Sequence, residues 1–489
     1  MKHNLSKLSA GALVLAAVNS VYGQYTPPAP QPFAGFLNEY LRKDNPYMNA
    51  WDIGGSIRLR YEIKDGIGAA PNPASALDFV NHPTGPKDNI NSYFLDKVRA
   101  RIGYTDKWWS AMVEGRGSGT TGDDRNPNPE SDGVIDLHQA YVTLGNHKEF
   151  PLSLKVGRQE MSYGEERIIG AFAWNNMGRV FDAAKLRWQN EYFAADFFSS
   201  RVVLPNDNHF NMPNDYDYFS GMYATTKMIP KNTMDFYFLS RNVSAGSLNE
   251  KTTTTPAGSV GPRDIYSVGF RLKSNPEDWG NWDYSAEAIG QFGHFNDTRI
   301  GVKKSLEHEA YALILQGGYT WKSAAWKPRL GLEYSHGSGD SNPNDNKHET
   351  FENLFPTNHK FYGYMDFVSL QNIHDVRLSY SLKPTAKTSV SLEGHGFWLA
   401  NTSDSFYNVA GVGRGATTST GGTSYGINPS YSSYVGSEVD LIAGYNPTKY
   451  LSFEAGYGHF FKGDYVASSL SKVGSRDADF VYLQTTISF

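Results

Sequence analysis

Arginine and lysine recur at even spacing in three stretches of the chain: Arg58, Arg60 and Lys64; Lys97, Arg99 and Arg101; Lys185 and Arg187. A side-chain period of two sets each group on one face of a β-strand. Such a face carries fixed positive charge, and arginine adds a planar, always-charged fork that matches a carboxylate. That is chemistry for holding or guiding an anion. Arg116 and Arg377 fall on the equivalent face of their own strands. Between the cations stand Leu59, Tyr61 and Ile63; Val98, Ala100 and Ile102; Ala184, Leu186 and Trp188. In a soluble sandwich this apolar face packs a core and the basic face meets bulk water. In a membrane barrel the apolar face meets lipid and the basic face lines a pore.

Other constellations carry less chemistry. His336, His348, His359 and His374 flank Gly337–Ile373, with Asp340 and Asp366 nearby, the raw material of a hydrolase at a pore mouth. No G-x-S-x-G elbow lies within Gly337–Ile373, and no HExxH-like spacing marks a metal site. They read as solvated loop residues, so neither an enzyme, a cofactor nor a metal is expected. Asp340, Asn342, Asn344, Asp345 and Asn346 offer hard oxygens suited to calcium, but their spacing misses the EF-hand pattern.

Composition decides which elements hold the basic faces. The 489 residues include 48 Gly, 31 Tyr, 28 Phe and 10 Trp, with a mean hydropathy of -0.49. A helical membrane protein is not that polar, since each span needs about 20 mostly apolar residues. An aromatic, Gly-rich chain with strong alternation fits an outer-membrane barrel. The absence of cysteine excludes disulfides, thiolate metal sites and lipidation on cysteine. A net charge of -5 argues against a nucleic-acid partner.

Residues 1–23 have the layout of a secretory signal: Lys2 and Lys7, then apolar Leu8 to Val18, then Val21-Tyr22-Gly23 at the cleavage site. Residues 24–50 begin Pro-rich, show no clear period, and read as a periplasmic lead-in. From 51 to 489 about eighteen strands recur, with short connections such as Thr105–Trp108 and Asn446–Tyr450 alternating with long ones such as Ser162–Asp182 and Gly337–His374. Short turns at one end and long loops at the other define a single transmembrane antiparallel β-barrel with periplasmic turns and extracellular loops. The last strand carries Val481, Leu483, Thr485, Ile487 and terminal Phe489 on one face, a pattern that resembles the closing strand of bacterial outer-membrane proteins. The expected location is the outer membrane of a Gram-negative cell.

With the apolar face toward lipid, Arg58, Arg60, Lys97, Arg99, Arg101, Arg116, Lys185, Arg187 and Arg377 line the lumen as candidate substrate-binding residues. Acids on the same face, including Glu333, Glu393, Asp440 and Glu454, concentrate later in the chain. A net basic channel draws anions. The plainer reading is that these cations pair with acids and keep the lumen wet. The function expected is passive passage of anionic solutes; a general or small-carboxylate porin is the alternative.

At Val156–Trp188 the chain resembles the alginate export family. The matching residues are Gly157-Arg158-Gln159, Tyr163-Gly164-Glu165-Glu166-Arg167, Trp174-Asn175-Asn176, Gly178-Arg179 and Phe181-Asp182-Ala183. A second block runs from Gly337-Ser338-Gly339-Asp340 through Phe351, Leu354-Phe355-Pro356 and His359 to Tyr362-Gly363 and Asp366. The resemblance implies an eighteen-stranded monomer with an electropositive constriction, an acidic oligo- or polysaccharide such as a polyuronate as substrate, and a periplasmic secretion partner. It also implies that Arg158, Arg167, Arg179, Asp182, Asp340 and Asp366 organise loops at the pore.

Overall fold

The computed structural model describes residues 35–68, 77–80, 89–125, 128, 130–131, 135–205, 210–244, 262–297, 304–415 and 421–489. The secretory signal expected over 1–23 and the first part of the lead-in lie outside them.

One closed antiparallel sheet holds β1 Trp51–Asp65, β2 Ile90–Thr105, β3 Trp109–Thr121, β4 Asp136–Leu144, β5 Leu152–Gln159 and β6 Phe181–Gln189. It continues through β7 Phe193–Leu204, β8 Met212–Thr226, β9 Asn232–Val243, β10 Arg263–Ser274, β11 Trp282–Asp297, β12 Lys304–Thr320 and β13 Arg329–Gly337. After β14, a two-residue piece at Lys347–His348 lying parallel to β12, come β15 Ile373–Thr385, β16 Thr388–Leu399, β17 Tyr434–Thr448, β18 Leu451–Lys462 and β19 Ala478–Ser488. Apart from β14, each strand pairs with its sequence neighbours. The ring closes where β1 meets β19, from Ser56↔Ser488 to Asp65↔Asp479. The eighteen barrel strands match those read from the alternation. Most run a few residues further, because backbone pairing persists where the side-chain pattern fades.

Burial is inverted relative to a soluble protein. Leu332 is 58% exposed while its neighbour Glu333 is 2% exposed; Leu483 is 59% exposed and Tyr482 1%. Apolar side chains left outward in a closed ring are satisfied only by lipid. Closure also leaves no sheet edge open. At the turn end an aromatic girdle forms from contacts such as Trp51–Tyr104 at 5.0 Å, Tyr104–Trp109 at 5.2 Å and Trp282–Tyr319 at 4.8 Å between ring centroids.

At the other end the long connections fold back inside. Phe79, Phe367, Phe397 and Phe460 stack there, with Phe79 4.3 Å from Phe367 and 4.9 Å from Phe460. Phe351, Leu370, Phe406 and Tyr465 join the same buried cluster. The barrel therefore has an apolar packed core within its own lumen, built from loops.

The lead-in is not wholly irregular: Phe36–Lys43 forms a helix and Pro46–Ala50 a 3₁₀ turn. Its eight residues are too few for a period to register. Asn38 fastens it to β1, donating to Asp52 Oδ1 at 2.5 Å and accepting from the Ile53 amide at 2.7 Å.

Gly157 in β5 has φ +125°, and a Cβ there would stand 2.9 Å from Tyr141 Cα. Gly157→Ala forces an L side chain into that backbone and is expected to cost about 1–3 kcal/mol. A lowered urea midpoint for unfolding from vesicles is the outcome expected; an unchanged midpoint would contradict this account of why glycine stands there.

Candidate functional site

The connection between β5 and β6 turns into the lumen. Glu166 adopts φ +67°, and its amide donates to Tyr163 O at 2.9 Å. This tight turn sends Ile168 and Ile169 into the buried cluster. There the loop meets the segment 355–361 of the connection between β13 and β15. Phe355 N donates to Ile168 O at 2.9 Å, Gly170 N to Phe355 O at 2.8 Å, and Thr357 N to Glu166 O at 2.9 Å. The two stretches that carry the family resemblance, far apart in sequence, thus form one backbone bridge inside the barrel.

Arginines brace the bridge. Arg167, 1% exposed, reaches Glu333 at 2.7 Å and lies 3.6 Å over the Phe361 ring. Arg179 donates to Gly170 O at 3.2 Å and to Pro356 O at 2.9 Å. Trp174 stacks on His359 at 3.8 Å, and the Arg60 guanidinium lies 3.7 Å from the same indole ring. His359 Nδ1 pairs with Asp366 at 3.1 Å.

The basic faces expected from the sequence all point inward, but they divide into two groups. Arg58, Arg60, Lys97 and Arg116 are covered by the inward loop. Arg58 donates to Ala173 O at 2.8 Å and Asn176 Oδ1 at 3.2 Å. Lys97 donates to Ala173 O at 3.2 Å and Asn175 O at 3.0 Å. Arg60 donates to Trp174 O at 2.9 Å and pairs with Glu62 at 2.6 Å, and Arg116 donates to Met177 O. These four anchor the loop, whose backbone carbonyls accept from them. Arg101 is likewise occupied, with two contacts of 2.9 Å to Asp52.

The second group stays half-buried. Arg99 contacts Glu114 at 2.5 Å and Glu160 at 3.0 Å. Arg377 contacts Glu333 at 2.7 Å and Glu393 at 3.5 Å. Lys185 and Arg187 share Asp196 at 3.3 and 3.0 Å. Lys155, the register partner of Lys185, sits 3.5 Å from the Tyr141 ring centroid, with no carboxylate within 4.0 Å among the described residues.

The remaining expected loop residues are structural partners. Arg158 and Asp182 are strand residues rather than loop residues, paired across β5 and β6 at 2.8 and 3.1 Å. Asp340 accepts the Asn342 amide at 3.1 Å, and Asp345 accepts the Lys347 amide at 2.7 Å, so oxygens that suited calcium are engaged in local turns. The four histidines do not converge. His336 and His374 stack at 4.5 Å in the outward register of Leu332, His348 packs on Phe295 at 3.9 Å, and His359 is on Trp174.

Sequence reasoning missed Glu160, Glu165 and Glu438 as functional contacts. Glu165 gathers Lys273 at 2.9 Å, Gln316 at 2.7 Å and Arg271 at 3.6 Å, tying the inward loop to β10 and β12. Burial alone would raise its carboxyl, but Arg167, Lys273 and Arg271 outweigh that and hold it at about 2. Glu160 is also held at about 2, where burial opposes and the hydrogen bond from His138 and the charge of Arg99 prevail. Glu438 accepts the Met365 amide at 2.8 Å and fixes the far side of the second loop. The signal for Glu165 lay within the quoted motif, while nothing in the sequence marks Glu438 as a loop anchor.

A closed eighteen-strand barrel with lipid-facing apolar residues, a charged lumen and loops folded inward defines an outer-membrane channel. The sequence profile described as alginate export matches residues 52–477. The chain belongs to the alginate export family. No curated protein matches its sequence. Its fold is similar to that of Pseudomonas aeruginosa OpdQ, at 11% identity over 90% of this chain and 98% of that one, with a TM-score of 0.53. P. aeruginosa OccK10 (OpdN) is similar at 11% identity over 90% and 99%, TM-score 0.51. P. aeruginosa OpdK, crystallised with vanillate, is similar at 11% over 90% and 98%, TM-score 0.51.

Arg167→Met removes the brace to Glu333 and is expected to destabilise the bridge by about 3 kcal/mol, which single-channel recording reads as new, larger conductance states. A trace identical to the parent's would show that the brace does not hold the loop. A carboxyl held low in the folded state contributes fully above its ordinary value of 4.5. That contribution is lost as pH falls through the lowered value. Conductance is therefore expected to stay steady from pH 8 to about 5 and to change between 4.5 and about 2, a change that Glu165→Gln reduces but does not remove, since Glu160 titrates in the same range.

Proposed function

We propose that the protein is a passive outer-membrane channel that passes anionic solutes, with an acidic polysaccharide of the polyuronate class, or its fragments, as substrate. The observation that carries this reading is the patch of Lys155, Lys185 and Arg187 near the turn end of β5 and β6, where three cations face one carboxylate, Asp196. Cations lining a channel with low-dielectric walls raise the local concentration of anions and repel cations. The sugar-acid substrate rests further on membership of the alginate export family.

A second reading, a channel for small carboxylates, is favoured by the loop bridge itself, which narrows the lumen between Ile169 and Phe355. OpdK, of similar fold, was crystallised with vanillate, an aromatic carboxylate. On either reading the charge preference comes from the same patch.

Reversal potentials of the purified protein in a planar bilayer under a KCl gradient test the proposal. Anion preference is expected, lost or reversed in Lys155→Glu/Lys185→Glu; selectivity unaltered in that variant would refute the patch. Block by added polyuronate but not by its monomer supports the polymer, and the opposite pattern supports the small carboxylate.

A further inference from the structure

We infer that the helix Phe36–Lys43 is a membrane-interface element, seated in the phospholipid headgroup zone of the periplasmic leaflet beside the barrel seam. Phe36, Tyr40 and Lys43 follow one another at i, i+4 and i+7 and share a face. Phe36 packs at 6.5 Å on Phe489 and at 6.1 Å, edge on, against Tyr450. The Phe489 ring in turn lies against Gly55, which shares the lipid-facing register of Leu59 and Tyr61. The helix face that begins with Phe36 is therefore continuous with the outward surface of the barrel.

Tyr40 is 76% exposed on that face, and Phe36 49%. Among the described residues nothing covers the Tyr40 ring, and the neighbouring rim is the aromatic girdle of Trp51, Tyr104 and Trp109. Aromatic rings with one apolar and one polar end settle at headgroup depth, and a short helix with an aromatic stripe and charged flanks lies in the interface plane. Glu39, Arg42, Lys43 and Asp44 balance to zero charge, so the fit is to a zwitterionic headgroup layer rather than to a strongly anionic surface. The opposite face is held by Asn38 on Asp52, while Glu39 contacts Lys449 and Tyr450. These contacts fix the helix so that its stripe points to the bilayer.

The chain contains no cysteine, so Tyr40→Cys gives one attachment point for a nitroxide on the full-length protein. The label is compared in phosphatidylethanolamine–phosphatidylglycerol vesicles with Leu332→Cys, which faces lipid, and with Glu277→Cys, whose side chain is 83% exposed in a turn at the same end of the barrel. The expected ratio of oxygen to nickel-chelate collisions at Tyr40 is several-fold above that at Glu277 and below that at Leu332. Lys43→Cys, one turn on, is expected to give a ratio of the same intermediate kind. A ratio at both helix sites equal to that of Glu277 puts the helix in water and overturns the inference. This outcome is independent of ion selectivity, so it separates from a failure of the channel reading.

Discussion

A cation enclosed in a barrel must find oxygen, and on β1 to β3 it finds the backbone of the loop 173–177. The carbonyls of Ala173, Trp174, Asn175 and Met177 take the donors of Arg58, Arg60, Lys97 and Arg116. Desolvating those groups without partners would be costly. The loop is thereby fixed to one wall, and its far side meets the segment after β14 through Phe355 and Thr357. The position of the constriction follows from where four charged side chains are satisfied.

That arrangement separates two uses of positive charge. One set is spent on architecture beneath the loop. The other, around Lys155 and Lys185, stays half-buried near the turn end. Tyr141 and Tyr163 shield one side of these lysines, with the Lys155 ammonium 3.5 Å and the Lys185 ammonium 5.6 Å from the respective rings. A lumen with no inward loop would present both sets as one broad field.

The barrel was legible because a period of two survives in every strand and each face has a different solvent. The turn at Thr105–Trp108 was placed from sequence alone, and it falls between β2, which ends at Thr105, and β3, which begins at Trp109. The lumen-facing side of the cations was legible for the same reason. What covers them was not: a backbone carbonyl carries no residue signature, so Ala173 gives no hint that it will accept from Arg58 and Lys97. The meeting of Ile169 with Phe355 was hidden too, because the two motif blocks can be aligned in space only once the circumference of the barrel is known. His359 looked like a loop residue among Asn and Lys, yet it lies flat on Trp174.

The seam between β1 and β19 joins the beginning of the barrel to its end: Arg60 contacts Gln484 across 424 positions. Every other neighbouring pair of barrel strands can form locally as the chain emerges, but this one waits for the whole circuit. Pairing over such separation is slow, and until it occurs two strand edges with unpaired amides and carbonyls stand open. The inward loops must also be enclosed before or during that event, since their anchors lie on opposite walls. Assembly is thus committed at a single late step, and the vulnerable species is an almost complete sheet rather than an unfolded chain.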